Sequence, residues 1–438
     1  MPQDRNQTTH TGRQITTGVL LVNGQQCFIE LAGMPLWQRL ILTGRKAGID
    51  SWLVLAWHDT EKLREALSNE KRLQDIDCQV YSVADLSPTQ LPDILPAEDV
   101  LIVAGGAIFD HHVLLKFQEQ EGNMLGVTST LTDATTRVVV EDSQVITLSS
   151  NLLSPYGSAG LLACCGTRLG HLLQQSWQSM QQTTTPFDVV LKQLINTPTV
   201  QAIDLTEQFW MPIAPPFATR VSAAEAALLK RLGRQGDSLI VRLVNRRLSQ
   251  ALSKRLVRTA VTPNQITLFS ALLGLSGAFL LAQPTHLAQV LGSLLFLCST
   301  IIDGCDGEVA RLTFQESEFG GKLDVMMDNV VHLFLFPSIA IGLYRETHST
   351  LILVLGGLTM GGVLISMAAY LPSLWRRSDN RKPHSRMHES LASRDFSYLL
   401  LLLALIDKLE WFLWITAVGT YLFAAAWFIL SRIRRQQV

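Results

Sequence analysis

The sequence predicts a soluble α/β domain followed by an α-helical membrane domain with about six transmembrane helices. Charged residues make up only 17% of the 438-residue chain, against roughly 25% in soluble domains, and the mean hydropathy is +0.23. Short β-branched runs alternate with helical patterns in the first half, and long apolar runs follow in the second. The formal net charge is -1, so the chain has no overall attraction for nucleic acid.

Residues 1–215 have the alternating pattern of a doubly wound, mostly parallel sheet. Apolar runs predict strands at 17–22, 51–57, 79–83 and 100–104, with helices at 35–47 and 60–67. A strand pair at 136–148 and a helix at 158–176 complete the predicted domain. The six cysteines show no paired spacing, which favours reduced thiols in a cytosolic setting.

Residues 216–260 are predicted to form a linker and a basic helix at 237–258. Apolar side chains recur at every fourth position of this helix, and most other positions there are polar or basic. These apolar residues are Ile240, Val244, Leu248 and Leu252. The pattern suits a helix that lies on the membrane surface. A helix packed on soluble protein is the alternative.

Residues 261–438 are predicted to form the membrane domain. The apolar segments are 266–281, 287–302, 326–344, 351–371, 396–406 and 411–430. The segment at 396–406 is shorter than the roughly 20 residues that a spanning helix needs, so it must include flanking residues. Gly357 and Gly361 form a G-x-x-x-G pair, which is typical of helix packing.

The basic residues predict the orientation of this domain. If the N-terminal domain is cytosolic, the inward loops contain Arg376, Arg377, Arg381, Lys382, Arg386 and Arg394. The outward loops then contain only Arg345 and Lys408. This asymmetry is the one that the positive-inside rule describes. We therefore expect a multi-pass protein of the cytoplasmic membrane with its N-terminal domain on the cytosolic side.

Four aspartates form the most informative pattern in the sequence. Asp303 and Asp306 are three residues apart, and Asp324 and Asp328 are four apart, so each pair shares one face of a helix. The short connection between the pairs predicts antiparallel neighbouring helices whose carboxylates converge at the cytosolic membrane boundary. Oxygen donors without a His or Cys cluster favour Mg²⁺, or Mn²⁺, over zinc. Carboxylates that hold such an ion usually act on a phosphate substrate.

The residues between the aspartates support a phosphate ligand. Gly307 and Ala310 leave the helix face without bulk, and Arg311 follows one turn later, where it suits phosphate oxygens. The alternative to a metal and phosphate site is a structural one, in which the aspartates merely keep two helix ends hydrated. A cation or proton transporter also holds carboxylates in the membrane, but it does not need these spacers.

At these residues the sequence resembles the CDP-alcohol phosphatidyltransferase family, whose signature is D-x-x-D-G-x-x-A-R, about eight residues, then G-x-x-x-D-x-x-x-D. The resemblance covers roughly residues 237–438 and includes Pro263, Asn264 and Thr267 before the first span. It implies two metal ions bound by Asp303, Asp306, Asp324 and Asp328. It also implies that Asp328 acts as the base, so that an acceptor hydroxyl attacks the donor phosphorus and expels CMP.

The same resemblance implies a site for the donor nucleotide. Its residues are Asn264, Thr267, Asp306, Gly307, Ala310, Arg311 and Gly320. The candidate residues for acceptor binding are Arg376, Arg377, Arg381 and Arg394. CDP-diacylglycerol is the leading donor and CDP-inositol the alternative, and a homodimer and the lipid bilayer are further expected partners.

The whole arrangement resembles fusions of an inositol-phosphate cytidylyltransferase to a CDP-alcohol phosphotransferase. A nucleotidyltransferase needs a Gly-rich loop with an Arg after its first strand, to hold a triphosphate. Here residues 23–28 contain one glycine and no basic residue, and Gly105-Gly106 is followed by an aspartate only at Asp110. We therefore expect a nucleotidyltransferase-like domain that is inactive, with Asp110 as a loop residue or a displaced metal ligand.

Overall fold

The computed structural model describes residues 14–23, 25–131, 135–149, 154–183, 185–195, 200–232, 244–375 and 396–435. The chain divides into two compact units, Met1–Ala227 and Leu228–Val438. The first unit is an α/β domain and the second is entirely helical in its described part.

The first unit contains thirteen strands and seven α-helices in its described part, and the last of these helices continues past Ala227. The strands are β1 (Thr17–Val22), β2 (Glu30–Leu31), β3 (Met34–Pro35), β4 (Ser51–Ala56), β5 (Asp77–Ser82), β6 (Asp99–Ala104), β7 (Ala107–Phe109), β8 (Asn123–Thr128), β9 (Arg137–Glu141), β10 (Gln144–Ser149), β11 (Tyr156–Cys165), β12 (Val200–Asp204) and β13 (Trp210–Pro212). The helices are α1 (Leu36–Lys46), α2 (Thr60–Asn69), α3 (Leu91–Ile94), α4 (His111–Gln118), α5 (Gly166–Gln181), α6 (Pro186–Ile195) and α7 (Phe217–Arg231).

Nine of these strands form one mixed sheet in the order β5-β4-β1-β6-β11-β8-β12-β10-β9. The first four strands in this order are parallel, as the alternating pattern predicted. β11 runs antiparallel to both β6 and β8, and the predicted strand pair is confirmed as the antiparallel β9 and β10. The long apolar runs form central strands because both faces of the sheet are covered, as in β1, where Val19 and Leu20 are completely buried.

The helix predicted at 158–176 is wrong in its first half. Residues up to Cys165 belong to β11, and α5 begins only at Gly166. The run from Leu161 to Cys164 is completely buried, because β11 is a central strand and both faces of the sheet are covered there. A continuous apolar run of this kind does not distinguish a buried strand from a buried helix.

The second unit contains seven α-helices in its described part. They are α8 (Arg246–Leu256), α9 (Pro263–Leu281), α10 (His286–Leu312), α11 (Glu318–Thr347), α12 (Thr350–Trp375), α13 (Phe396–Leu405) and α14 (Leu409–Arg435). Each of the six predicted spans falls on one of the last six helices. Among the described residues, α9, α10 and α11 are long and apolar enough to cross a membrane, and 350–365 and 396–405 are shorter apolar helical segments.

Glycines let α9 and α10 pack closely within this helical unit. A Cβ atom on Gly277 would lie 2.7 Å from the carbonyl oxygen of Gly292, and the reverse distance is also 2.7 Å. Such contacts are typical of membrane helices, because small residues let two backbones approach. Many large apolar side chains of these helices, including Phe279 and Leu287, point outward and are exposed, which fits a lipid environment.

The start of α9 is fixed by its own sequence. Thr262 and Gln265 form a reciprocal capping box around the first turn, with Pro263 at the first helical position. The start of α11 lies at the same end of the helical unit. There the Ser317 hydroxyl caps α11 by accepting a hydrogen bond from the Gly320 backbone N–H at 2.9 Å. The connection from α10 to α11 is only five residues long, 313–317, and both helices pack mainly on α9 and not on each other.

The basic helix predicted at 237–258 is present as α8 over its described part; Ile240 lies outside the described residues. Its buried residues are Ser249 and Ser253, and they are flanked by the buried Asn245 and Val257. The side chains of Val244 and Leu248 are 41% and 50% exposed. The apolar stripe therefore faces away from the helical unit, and the opposite, polar face packs on it.

Candidate active site

Three of the four predicted aspartates come together between α10 and α11. One carboxylate oxygen from each of Asp303, Asp324 and Asp328 lies within 4.8 Å of the other two. Asp303 is buried and Asp328 is exposed, so the cluster opens to its surroundings on the side of α11. Like charges this close repel. A donor set made only of carboxylate oxygens at this spacing fits a hard divalent cation.

Asp306 is close in sequence but is held differently. Its Oδ2 atom accepts a hydrogen bond of 2.5 Å from the Thr267 hydroxyl on α9, and its Oδ1 atom accepts one from the Gly307 backbone N–H. Asp306 follows Asp303 by three residues, about 60° short of a full turn. This offset turns Asp306 toward α9, while Asp303 faces α11. Asp306 is therefore not part of the three-carboxylate cluster.

The other residues predicted to bind the nucleotide lie at the same end of these helices. A Cβ atom on Gly320 would lie 3.1 Å from the Asn264 side-chain oxygen, so the starts of α9 and α11 adjoin. A Cβ atom on Gly307 would lie 3.1 Å from the Arg311 guanidinium one turn later. Ala310 is half-buried on the same helix. Small side chains at these points leave room for the guanidinium and for a ligand beside it.

The proposed acceptor-binding residues Arg376, Arg377, Arg381 and Arg394 lie outside the described residues. The structure therefore leaves their role as a prediction from the sequence.

Sequence reasoning missed one residue of this region, Glu308. It lies between Gly307 and Ala310, in a position that the signature leaves variable, and its side chain is completely buried. Arg246, Ser249 and Ser253 of α8 all donate hydrogen bonds to it. The available signal was the four-residue spacing of the two serines on a helix that precedes an acidic motif.

The N-terminal unit has a cavity of about 170 Å³ at the ends of β1 and β6. Its described lining includes Asn23, Gly105, Gly106, Asp188 and Trp210, and no Lys or Arg. Burial raises the pKa of the Asp188 carboxyl above its ordinary value, and hydrogen bonds from Thr136 and Thr185 oppose this. A carboxyl in a cavity without a cation is poorly suited to a triphosphate.

Asp110, the predicted displaced ligand, is not among the residues that line this cavity. It directly precedes α4, and its Oδ1 atom lies 2.6 Å from Nδ1 of His111. Ligand atoms of Asp110, His111 and His112 lie within 4.8 Å of one another. The three residues are consecutive in the chain, so this proximity follows from their sequence positions.

Comparison with known proteins agrees with the geometry of the helical unit. Residues 260–433 match the CDP-alcohol phosphatidyltransferase family. The chain is 28% identical over 225 residues to the "Bifunctional IPC transferase and DIPP synthase" of Archaeoglobus fulgidus, an alignment that covers 51% of this chain and 43% of that protein. It is 25% identical over 430 residues to the protein of the same name from Rubrobacter xylanophilus, which covers 92% of each chain.

Among solved structures, an inositol-1-phosphate CTP transferase from T. maritima covers 48% of this chain and 95% of its own, at 17% identity and a TM-score of 0.39. The family match favours a transferase over the transporter alternative. The helical C-terminal part of the chain, residues 260–433, is therefore a CDP-alcohol phosphatidyltransferase domain.

Proposed function

We propose that this protein transfers an alcohol-linked phosphate from a CDP-alcohol to the hydroxyl of an inositol-type acceptor, with release of CMP. The observation that carries the proposal is the cluster of Asp303, Asp324 and Asp328, whose carboxylate oxygens lie within 4.8 Å of one another. This cluster stands at the end of helices long enough to cross a membrane. The donor set suits Mg²⁺ or Mn²⁺.

Each aspartate has a distinct place in this proposal. Asp303 and Asp324 would hold the divalent ions, and such ions would supply positive charge that neutralises phosphoryl oxygens and the departing CMP. Asp306 is oriented by the Thr267 hydroxyl. It contributes its carboxylate to the metal and nucleotide site from the side of α9. Asp328, the exposed member, accepts the proton of the acceptor hydroxyl, which requires hydrogen-bond reach of that oxygen. Arg311 binds phosphate oxygens of the donor.

The relatives favour a soluble donor of the CDP-inositol kind. The Rubrobacter protein, a bifunctional IPC transferase and DIPP synthase, aligns with 92% of this chain. CDP-diacylglycerol is the second candidate, because α11 carries exposed apolar side chains close to Asp324 and Asp328 in the chain, including Phe319 and Met326. A lipid-linked donor can reach such a site from within the bilayer.

We further propose that the N-terminal unit does not make the donor. The described residues that line its cavity include no Lys or Arg, and a nucleotidyltransferase needs cationic or backbone groups that hold a triphosphate. The unit then serves as a scaffold or a regulatory domain, and the membrane domain uses a preformed CDP-alcohol.

We place the protein in the cytoplasmic membrane, with the aspartate cluster on the cytosolic side. The positive-inside distribution of the sequence supports this orientation. The exposed Val244 and Leu248 of α8, beside exposed basic residues such as Arg247, suit a helix that lies at the surface of an anionic membrane.

The deciding experiment is a CMP-release assay on the full chain in detergent with Mg²⁺. CDP-inositol and CDP-diacylglycerol are each offered with inositol phosphate, glycerol phosphate and inositol as acceptors. We expect CMP release that depends on the metal and on an inositol-type acceptor. No release with any pair would contradict the proposed reaction, and release with only one donor would select between the two candidates.

A further inference from the structure

A fully buried acid in the signature segment has no part in the reaction proposed above. Glu308 accepts hydrogen bonds from Arg246 Nη1 at 3.1 Å and from the Ser249 hydroxyl at 2.9 Å on one carboxylate oxygen. Its other oxygen accepts one from the Ser253 hydroxyl at 2.8 Å. All three donors belong to α8. A buried carboxylate needs such partners, because its loss of hydration is otherwise uncompensated.

Glu308 lies on the side of α10 that faces away from the aspartate cluster. It follows Asp303 by five residues, which places it about 140° around the helix. Cys305, on the same rear side, donates a hydrogen bond from its thiol to the Ser249 carbonyl oxygen at 3.5 Å. Helix α8 therefore packs along the back of the α10 segment whose front carries Asp303.

This attachment of α8 is polar. The buried side chains of the helix at the contact are Ser249 and Ser253, whereas Val244 and Leu248 point outward. Apolar burial adds to the contact at the C-terminal end of the helix, where Val257, four residues after Ser253, is also buried. Within Arg246–Leu256 the contact depends on Glu308 and its three donors.

The front of α10 is held in a comparable way by α9. The Thr267 hydroxyl donates to Asp306, and the Ser299 hydroxyl donates to the Ser270 carbonyl oxygen at 2.7 Å. The end of α10 that carries the aspartates is thus bound on one side by α9 and on the other by α8. A metal site keeps its affinity when neighbouring groups fix its ligands in place before the ion binds.

We propose that Glu308 is a positioning residue for the metal site: by fixing α8 against the back of α10, it holds Asp303 in register with Asp324 and Asp328. This inference rests on the proposed metal-dependent transfer. It concerns the affinity for the ion and not the chemical step, because Glu308 faces away from the cluster.

The test measures Mn²⁺ binding to the full chain in detergent by electron paramagnetic resonance, without substrate. Glu308→Gln removes the charge and keeps the shape, Arg246→Gln removes its ion-pair partner, and Arg247→Gln is the matched control on the exposed side of α8. We expect the Mn²⁺ dissociation constant to rise about tenfold in the first two variants and to stay unchanged in the control. The double variant should be no weaker than either single variant, since both break one contact.

Metal-dependent CMP release gives a second readout. We expect Glu308→Gln to raise the metal concentration for half-maximal activity about tenfold and to keep kcat at saturating metal within about threefold. A lower kcat with unchanged metal dependence, or unchanged Mn²⁺ affinity in the folded variant, would overturn the proposal. If Glu308→Gln does not fold, the double replacement Ser249→Ala with Ser253→Ala, which keeps the ion pair, decides by the same criterion. If the wild-type protein binds no Mn²⁺, the proposed metal site itself is wrong. This outcome is distinct from one in which the wild type binds Mn²⁺ and Glu308→Gln binds it equally well.

Discussion

Replacing Asp324 by Asn should stabilise the metal-free protein while it abolishes activity. Asp324 shares a cluster with Asp303 and Asp328, in which carboxylate oxygens lie within 4.8 Å of one another. At that separation two unit charges repel by about 0.9 kcal/mol in water and by about 3.5 kcal/mol at the effective permittivity of a protein surface. Because Asp328 is exposed, the lower value is the appropriate one. Loss of two such repulsions makes the folded state about 2 kcal/mol more stable.

The assay is thermal unfolding of the full chain in detergent, with and without Mg²⁺. In metal-free buffer Asp324→Asn should unfold a few degrees above the wild type, since about 1 kcal/mol corresponds to roughly 2–4 °C in a unit of this size. Mg²⁺ should raise the unfolding temperature of the wild type by stabilising the folded state that binds it, and it should leave the variant unchanged. CMP release by the variant should fall by orders of magnitude.

Asp407→Asn provides the control. Asp407 is exposed in the connection between α13 and α14, with a positive φ of 56° that asparagine also tolerates. It should alter neither the unfolding temperature nor the response to Mg²⁺. An Asp324→Asn variant that keeps CMP release and its Mg²⁺-dependent shift would refute the assignment of the cluster as a metal site.

Three further predictions follow from the two units. Asp328→Asn should abolish transfer and leave CDP-alcohol binding, measured by equilibrium dialysis, largely intact; an equal loss of affinity would show that Asp328 mainly binds metal. The full chain with CTP, Mg²⁺ and phosphorylated polyols should release no pyrophosphate, and robust release would show that the N-terminal unit is an active nucleotidyltransferase. Burial raises the pKa of Asp188, so its contribution to stability is present below its unfolded pKa and is lost as the pH rises through its folded pKa. Asp188→Asn should therefore stabilise the N-terminal unit at neutral pH and not at pH 3, as thermal unfolding across this range would show.

The spacing of the aspartates was sufficient to predict most of the candidate site. Asp324 and Asp328, four residues apart, share one face of α11 and both join the cluster. Asp303 and Asp306, three residues apart, point to opposite sides of their common face, and only the structure shows that Thr267 of α9 occupies the neighbourhood of Asp306. A spacing fixes the angle between two side chains along a helix but not the helix that each one meets.

The sequence was less informative where packing decides the outcome. The apolar residues up to Cys165 were predicted as a helix and form β11, because a strand buried on both faces suits the same residues as a buried helix. In α8 the prediction was based on the regular apolar stripe that includes Val244 and Leu248. The contact that holds the helix instead involves Ser249 and Ser253. Serines in a helix are usually solvent-facing, so their role appeared only with the position of Glu308.

The polar contact between α8 and α10 limits where an N-terminal domain can be joined to the transferase domain. Helix α8 is bound to α10 through Glu308, so this contact lies within the helical unit. A junction placed ahead of Val244 would leave the whole aspartate site and its supporting helix on one side. Recombination at that point can exchange one N-terminal domain for another without rebuilding the transferase, whereas a junction between α8 and α9 would separate Glu308 from its donors.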